Sequence, residues 1–338
     1  MLKSRKVKDV LFTIAFPIAV FIIMELLCIT LKGRHLVGSL LDIKTLVRNT
    51  GISAILAFAL SFNLSCGRFD LSLGAQRLAG TIVGGVIAMN FGLTGLWFLF
   101  FSIIFGFIFG FLTGMLFVIT RVPPMVLGVG LGLVWECVPY VYSDGKGLNL
   151  FGYAGTEVLT STPFTIIVMI AVGFFVTVIM NKTKFGYEMK AIQGSQLIAR
   201  NSGINIFRHA VLCYTFAGAL VCIGGIIDAA YQTQMAATLG LTSNSTVAAN
   251  MFAMMLGGYI GEKSNQATGV IVAAFTLSIF SYGLTLMELS EANTSVVNQT
   301  FFVLFLVFLA NRYFLKKRAA EKARIAQALE RRKALALA

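Results

Sequence analysis

Long apolar runs broken by short polar punctuation set the pattern of this chain. Ten runs stand out, at 10–31, 46–64, 72–90, 94–119, 125–142, 163–180, 207–229, 247–260, 266–287 and 296–315. A helix that crosses a bilayer needs about 20 mostly apolar residues, and all but the short eighth run approach that length. The pattern predicts an all-α polytopic membrane protein of about ten transmembrane helices. An even number of spans puts both termini on one side. The first run follows a basic start (Lys3, Arg5, Lys6, Lys8), contains Pro17 and Glu25, and leads into no small-residue cleavage site. It reads as a retained span rather than a removed signal.

Composition narrows the class. The 338 residues are 57% hydrophobic and only 12% charged, with a mean hydropathy of +0.85. Soluble domains carry about 25% charged residues, so no segment is long and polar enough for a separate catalytic domain. The net charge of +13 gathers at membrane-flanking ends and indicates orientation, not nucleic acid.

With the N-terminus cytoplasmic, the basic 181–206 loop and the basic tail after Lys316 fall inside, and the acidic loop with Glu288 and Glu291 falls outside. This follows the positive-inside rule. Lys32, Arg34, Lys44 and Arg48 lie outside and run against it, so that stretch is either an interfacial segment or a misplaced boundary. The organisation expected is a transmembrane domain over 1–315 and a basic, helical cytoplasmic tail over 316–338. That tail is rich in Ala, Lys, Arg and Glu and continues the last helix.

Glycines at helix-face spacing mark close helix packing. Gly106, Gly110 and Gly114 repeat every four residues, as do Gly80 with Gly84 and Gly128 with Gly132. Small residues let helix backbones approach where lipid supplies no hydrophobic drive. Ionisable residues within spans are costly and point to function; here they are Glu25, Glu136 and Asp228. Asn63, Trp135, Glu136, Asp228 and Asn250 form a candidate substrate pathway, with Gln232, Gln234 and Asn244 as further amides. Cys28, Cys66, Cys137, Cys213 and Cys222 show no CxxC spacing and only two histidines exist, so the spacing supports neither a metal site nor a disulfide framework. Two look-alikes fail. In Gly257–Ser264, Glu262 replaces the second glycine of a phosphate loop, and Leu71–Gln76 departs from an ATP-binding-cassette signature by one residue. No GxSxG, HExxH or paired catalytic carboxylates appear, and the chain is expected to be a transport subunit without its own ATPase motif.

Three blocks together resemble one family. They are Gly67-Arg68-Phe69-Asp70-Leu71-Ser72-Leu73-Gly74, then Phe185-Gly186, Ala191-Ile192, Gly194, Ala199-Arg200 and Ser202-Gly203-Ile204-Asn205 in order, and Met255-Leu256-Gly257-Gly258. This is similar to the membrane-spanning permease of bacterial ABC importers of the ribose and simple-sugar type, within the branched-chain amino-acid permease group. The likeness runs over roughly 45–312. The chain departs from it at Gly194-Ser195-Gln196 and after Gly258.

The resemblance implies a multi-pass protein of the bacterial cytoplasmic membrane that imports a small polar solute, a monosaccharide first. The alternatives are an importer of the same build for nucleosides or another non-sugar solute, and an ATP-independent secondary transporter using Glu25, Glu136 or Asp228. It implies three protein partners: an ABC ATPase subunit, an extracytoplasmic substrate-binding protein, and a second copy or paralogue. ATP and Mg²⁺ belong to the ATPase, and no cofactor is expected on this chain. The 181–206 loop would carry a coupling helix using Phe185, Gly186, Ala191, Gly194, Ala199, Arg200 and Gly203. Gly186 and Gly203 would turn the chain into and out of it, and Lys190, Gln193, Gln196 and Arg200 would face the partner or the membrane. The Gly67, Asp70, Ser72 and Gly74 block would cap the following helix or act in gating.

Overall fold

The computed structural model describes residues 2–262, 264–290, 292–312 and 321, and for 2–12 the backbone alone. The tail predicted over 316–338, with its boundary, lies outside the described residues except for Glu321. Two compact units appear, Met1–Met287 and Glu288–Ala338. The second is represented by one apolar helix, α13 (Ala292–Arg312).

The first unit is helical. Its long helices are α1 (Leu2–Lys32), α2 (Leu40–Leu64), α3 (Leu73–Asn90), α4 (Leu96–Thr120), α5 (Pro124–Tyr142), α7 (Thr162–Lys182), α10 (Ile206–Gln232), α11 (Asn244–Gly261) and α12 (Gln266–Leu286). Short helices α6 (Thr156–Thr160), α8 (Lys184–Gly194) and α9 (Gln196–Asn201) lie in connections. Two-residue strands β1 (Leu148–Asn149) and β2 (Gln234–Met235) pair antiparallel, Leu148 opposite Met235. Among the described residues, each of the ten apolar runs falls on a helix to within two residues at its ends.

Eight of these helices, α13 included, are long and apolar enough to cross a membrane; α3 and α11 are not. Both are 18 residues long. Through most of its length α3 is buried, with Gln76 and Arg77 inside the bundle, so it needs no lipid-matched surface. Depth is uneven elsewhere. In α2 and α10, 72% of the apolar window is buried, against 17% in α1 and 28% in α4 and α7. Within the first unit the central pair is therefore α2 and α10, with that unit's other helices around them.

The first two boundaries move. Ser39 and Asp42 form a reciprocal capping box that starts α2 at Leu40, six residues before the apolar run. Lys44 and Arg48 thus lie on a helix rather than in a loop, and Arg48 sits over the Tyr231 ring at 5.2 Å.

The glycine stripe acts as expected. A Cβ at Gly106 would lie 2.6 Å from the Gly218 carbonyl, one at Gly110 2.5 Å from that of Tyr214, and one at Gly114 2.8 Å from the Val211 Cα. The α4 and α10 backbones therefore touch along three turns, running antiparallel. On its other side α4 meets α3, where a Cβ at Gly84 would reach the Ser102 amide at 2.7 Å.

Candidate functional site

Helix α2 ends with Gly67 at φ +72°. Its amide donates to the Leu64 carbonyl at 3.0 Å and the Arg68 amide to that of Asn63 at 3.0 Å, the closure a left-handed glycine permits. The chain then climbs back into the bundle before α3 begins. Depth follows from α10. The Cys222 thiol donates to the Gln76 carbonyl at 3.5 Å, and a Cβ at Gly218 would lie 2.9 Å from Gln76 Oε1. Gly218 is twelve residues into α10, about 18 Å along a helix that rises 1.5 Å per residue. The N-terminus of α3 is therefore inside the bundle.

A second helix start meets it. After α10 the chain turns back through β2 and three left-handed residues, Thr233, Gly240 and Leu241, and α11 begins at Asn244. Gly74 lies against the Ser243 carbonyl so closely that a Cβ has no room. Helix N-termini present unpaired amides and partial positive charge, and two buried carboxylates answer them. Asp70 accepts the Ser72 amide at 2.9 Å and its hydroxyl at 2.6 Å. Glu136, on α5, accepts the Leu241 amide at 2.7 Å and that of Ser243 at 3.0 Å. Broken helices meeting within a bundle are where transporters place their binding sites.

Asp70 thus holds the start of α3, while the Ser72 side chain caps nothing. Its hydroxyl instead accepts from Gln76 Nε2 at 2.8 Å. Gly67 makes the turn and Gly74 the close approach. The proposed pathway residues separate. Asp228 pairs with Arg77 and accepts from Gln232, and Arg77 reaches Thr246 on α11 at 3.5 Å. Asn250, Arg77, Gly74 and Thr246 line a cavity between α2, α3, α10 and α11 of only about 10 Å³, room for one water. Asn63 donates to Asp70 at 3.3 Å. Trp135 is elsewhere, donating to Thr113 at 2.9 Å and packed edge-on to Phe109.

Each of the three intramembrane acids is engaged. Glu25 holds the His35 ring at 2.7 Å and the Leu36 amide at 2.8 Å, so its partner sits ten residues on in sequence. Arg77, the partner of Asp228, is a charge inside the 72–90 apolar run, and that is the sequence signal for it.

The 181–206 loop folds into α8 and α9, capped by Thr183 and Ser195. Phe185 turns inward and stacks on His209 of α10, ring centroids 4.3 Å apart and planes 9° apart, and also meets Phe62 and Phe216. Gln196 Nε2 donates to the Cys66 carbonyl at 3.4 Å. Ala199 is buried; Ala191, Gly194, Arg200 and Gly203 are exposed. Gly203 makes its turn at φ +83°, but Gly186 does not. It lies within α8, pressed against the Met180 carbonyl where no Cβ fits. The outward face is more apolar than composition suggests, since Tyr187, Leu197 and Ile198 are each more than 60% exposed. Beside it, a cavity of about 610 Å³ lined by Gly67, Arg68, Gln196 and Arg200 opens at this end of the bundle.

Comparison with known proteins decides the family. Residues 43–309 match the model described as "Branched-chain amino acid transport system / permease component". The chain belongs to this permease family. It is 28% identical over 265 residues to the ribose import permease protein RbsC of Bacillus subtilis (strain 168), covering 76% of this chain and 81% of that one. The RbsC protein of Escherichia coli (strain K12) is 22% identical over 262 residues, 75% and 80% of the two chains. The galactose/methyl galactoside import permease protein MglC of Haemophilus influenzae (strain ATCC 51907 / DSM 11121 / KW20 / Rd) is 26% identical over 144 residues, 42% of each. This permease is accordingly a multi-pass protein of the inner membrane.

Proposed function

We propose that this permease is the membrane subunit of an ATP-driven importer that carries a small polar solute, a monosaccharide first, across the cytoplasmic membrane. It works with an ATPase pair, an extracytoplasmic binding protein and a second copy or paralogue. The relatives' names support the cargo, since two of the three are ribose permeases and the third takes galactosides. ATP and Mg²⁺ sit on the ATPase.

The observation that carries the reading is the bracing of α8 and α9. Their exposed face offers Tyr187, Leu197 and Ile198 to a partner, while Phe185 on the inner side holds α10 and Gln196 holds the α2–α3 connection. A push on the loop therefore reaches both segments that lead to the broken-helix junction. The cavity there is shut to about 10 Å³, so the solute passes only when α2, α3, α10 and α11 part. An ATP-independent mechanism fits less well. Glu25, Glu136 and Asp228 are each tied to a ring, an amide or a guanidinium.

The test is co-purification in mild detergent from native membranes, with and without Gly194→Pro. Proline removes an amide and clashes with the carbonyl four residues back. An ATPase subunit recovered with the wild-type chain and lost with the variant supports the reading. Folded wild-type chain recovered without an ATPase sinks it. Uptake of labelled ribose, galactose and a nucleoside then separates the cargoes.

A further inference from the structure

Behind the stacked Phe185 lies a cluster of buried thiols around His209. Cys66, His209 and Cys213 are all buried, and their Sγ, ring-nitrogen and Sγ atoms lie within 4.8 Å of one another. His209 and Cys213 stand four apart on α10, which puts them on one helix face. Cys66 is brought to them by the turn that ends α2. Linear spacing hid the set, because 143 residues separate its first two members.

The imidazole is set up as a ligand. Its Nε2 faces the Phe185 carbonyl at 3.2 Å. A carbonyl only accepts, so the proton is on Nε2, and the Nδ1 lone pair accepts from the Cys213 thiol at 3.5 Å and becomes a ligand once that thiol gives up its proton. A carbonyl partner on the far nitrogen is what orients metal-bound histidines. Zinc bonds of about 2.3 Å to sulfur and 2.0–2.1 Å to nitrogen place tetrahedral ligands roughly 3.5–3.8 Å apart. The Cys213–His209 pair already stands at that spacing, and small rotamer changes close the rest.

We propose that Cys66, His209 and Cys213 form a three-ligand site for a thiophilic d¹⁰ cation of the zinc class. Binding expels the two thiol protons to solvent, and the two thiolates offset the charge of the dication. A cavity opens beside Gly67, the residue after Cys66, and the fourth position takes water. On the proposed function this end of the bundle is cytoplasmic, where thiols are kept reduced, which favours a cation over a Cys66–Cys213 disulfide. Bound there, the cation ties the α2–α3 connection to α10 directly behind the coupling loop and stiffens the path by which the loop moves the bundle.

The experiment is Co²⁺ titration of the reduced, full-length permease in detergent micelles, read by the thiolate-to-cobalt charge-transfer absorption and by metal analysis. One Co²⁺ per chain is expected, displaced by Zn²⁺. The band halves in Cys66→Ser and in Cys213→Ser and vanishes in the double variant. His209→Gln keeps the band but weakens binding by about 10–100-fold or more, at least as much as loss of an outer-shell partner. The Cys28→Ser/Cys137→Ser/Cys222→Ser variant keeps it whole. Size-exclusion profiles check the fold; if the double variant is not monodisperse, the two single serine variants decide. No band in the reduced wild type, a band untouched by the Cys66 and Cys213 changes, or a Cys66–Cys213 disulfide in freshly extracted protein overturns the proposal.

Discussion

Glu136 holds the broken-helix junction together, and removing it tests that account. Its carboxylate is fully buried and accepts two backbone amides, from Leu241 at 2.7 Å and Ser243 at 3.0 Å. Hydrogen bonds to a charged group contribute about 1.5–3 kcal/mol each, and a buried donor left unpaired costs about 1–3 kcal/mol. Measured polar contacts inside membrane bundles fall toward the low end, about 0.6–2 kcal/mol. Glu136→Gln keeps the volume and one carbonyl but turns an NH₂ toward the second amide, so one donor is lost, at about 2 kcal/mol. Glu136→Ala strands both and leaves a void, at about 4 kcal/mol. The assay is SDS-titrated unfolding in mixed micelles, with uptake measured in parallel. The expected order is wild type, Gln, Ala in both readouts. An alanine variant within about 0.5 kcal/mol of wild type would refute the junction as a structural clamp. A glutamine variant of full stability but no uptake would instead assign the carboxylate to proton movement.

Other tests follow from single contacts. Gly110→Leu, whose Cβ would meet the Tyr214 carbonyl at 2.5 Å, is expected to abolish monodisperse expression, while Gly130→Leu, with nothing within 4 Å, is expected to leave the elution profile unchanged. Arg77→Ala and Asp228→Ala each strand a charge and are expected to cost about 3–5 kcal/mol, whereas an Arg77→Met/Asp228→Leu pair recovers most of it; a double-mutant cycle in the same unfolding assay reads the difference. Phe185→Ala removes the stack on His209, and uptake should fall while the ATPase still co-purifies, because the outward face of α8 and α9 is intact. Loss of both together would place Phe185 in docking instead.

Much of the architecture is legible in the sequence because lipid is a uniform solvent. Every backbone group must be satisfied within its own helix, so an apolar run of the right length has one outcome. Among the described residues each apolar run lies on a helix, and the four-residue glycine spacing marked the α4–α10 contact for the same reason. Local chemistry also read through: Gly67 and Gly203 adopt the left-handed turns such positions require. Other features depended on distant segments. Nothing in the apolar pattern says that α3 starts deep inside the bundle, since the 65–72 stretch looks like an ordinary loop until α10 and α11 surround it. Gly186 reads as a turn residue, but the Met180 carbonyl makes it a contact residue.

The chain's pattern alone therefore determined the class, the helices, the helix-forming loop and the family blocks, since each rests on runs of neighbouring residues. Tertiary structure decided the pairings: Arg77 with Asp228 across 151 positions, Glu136 with amides more than 100 positions away, and Cys66 beside His209 and Cys213. A buried charge or thiol takes its partner from whichever helix packs against it, and that choice is made by the fold, not by spacing along the chain.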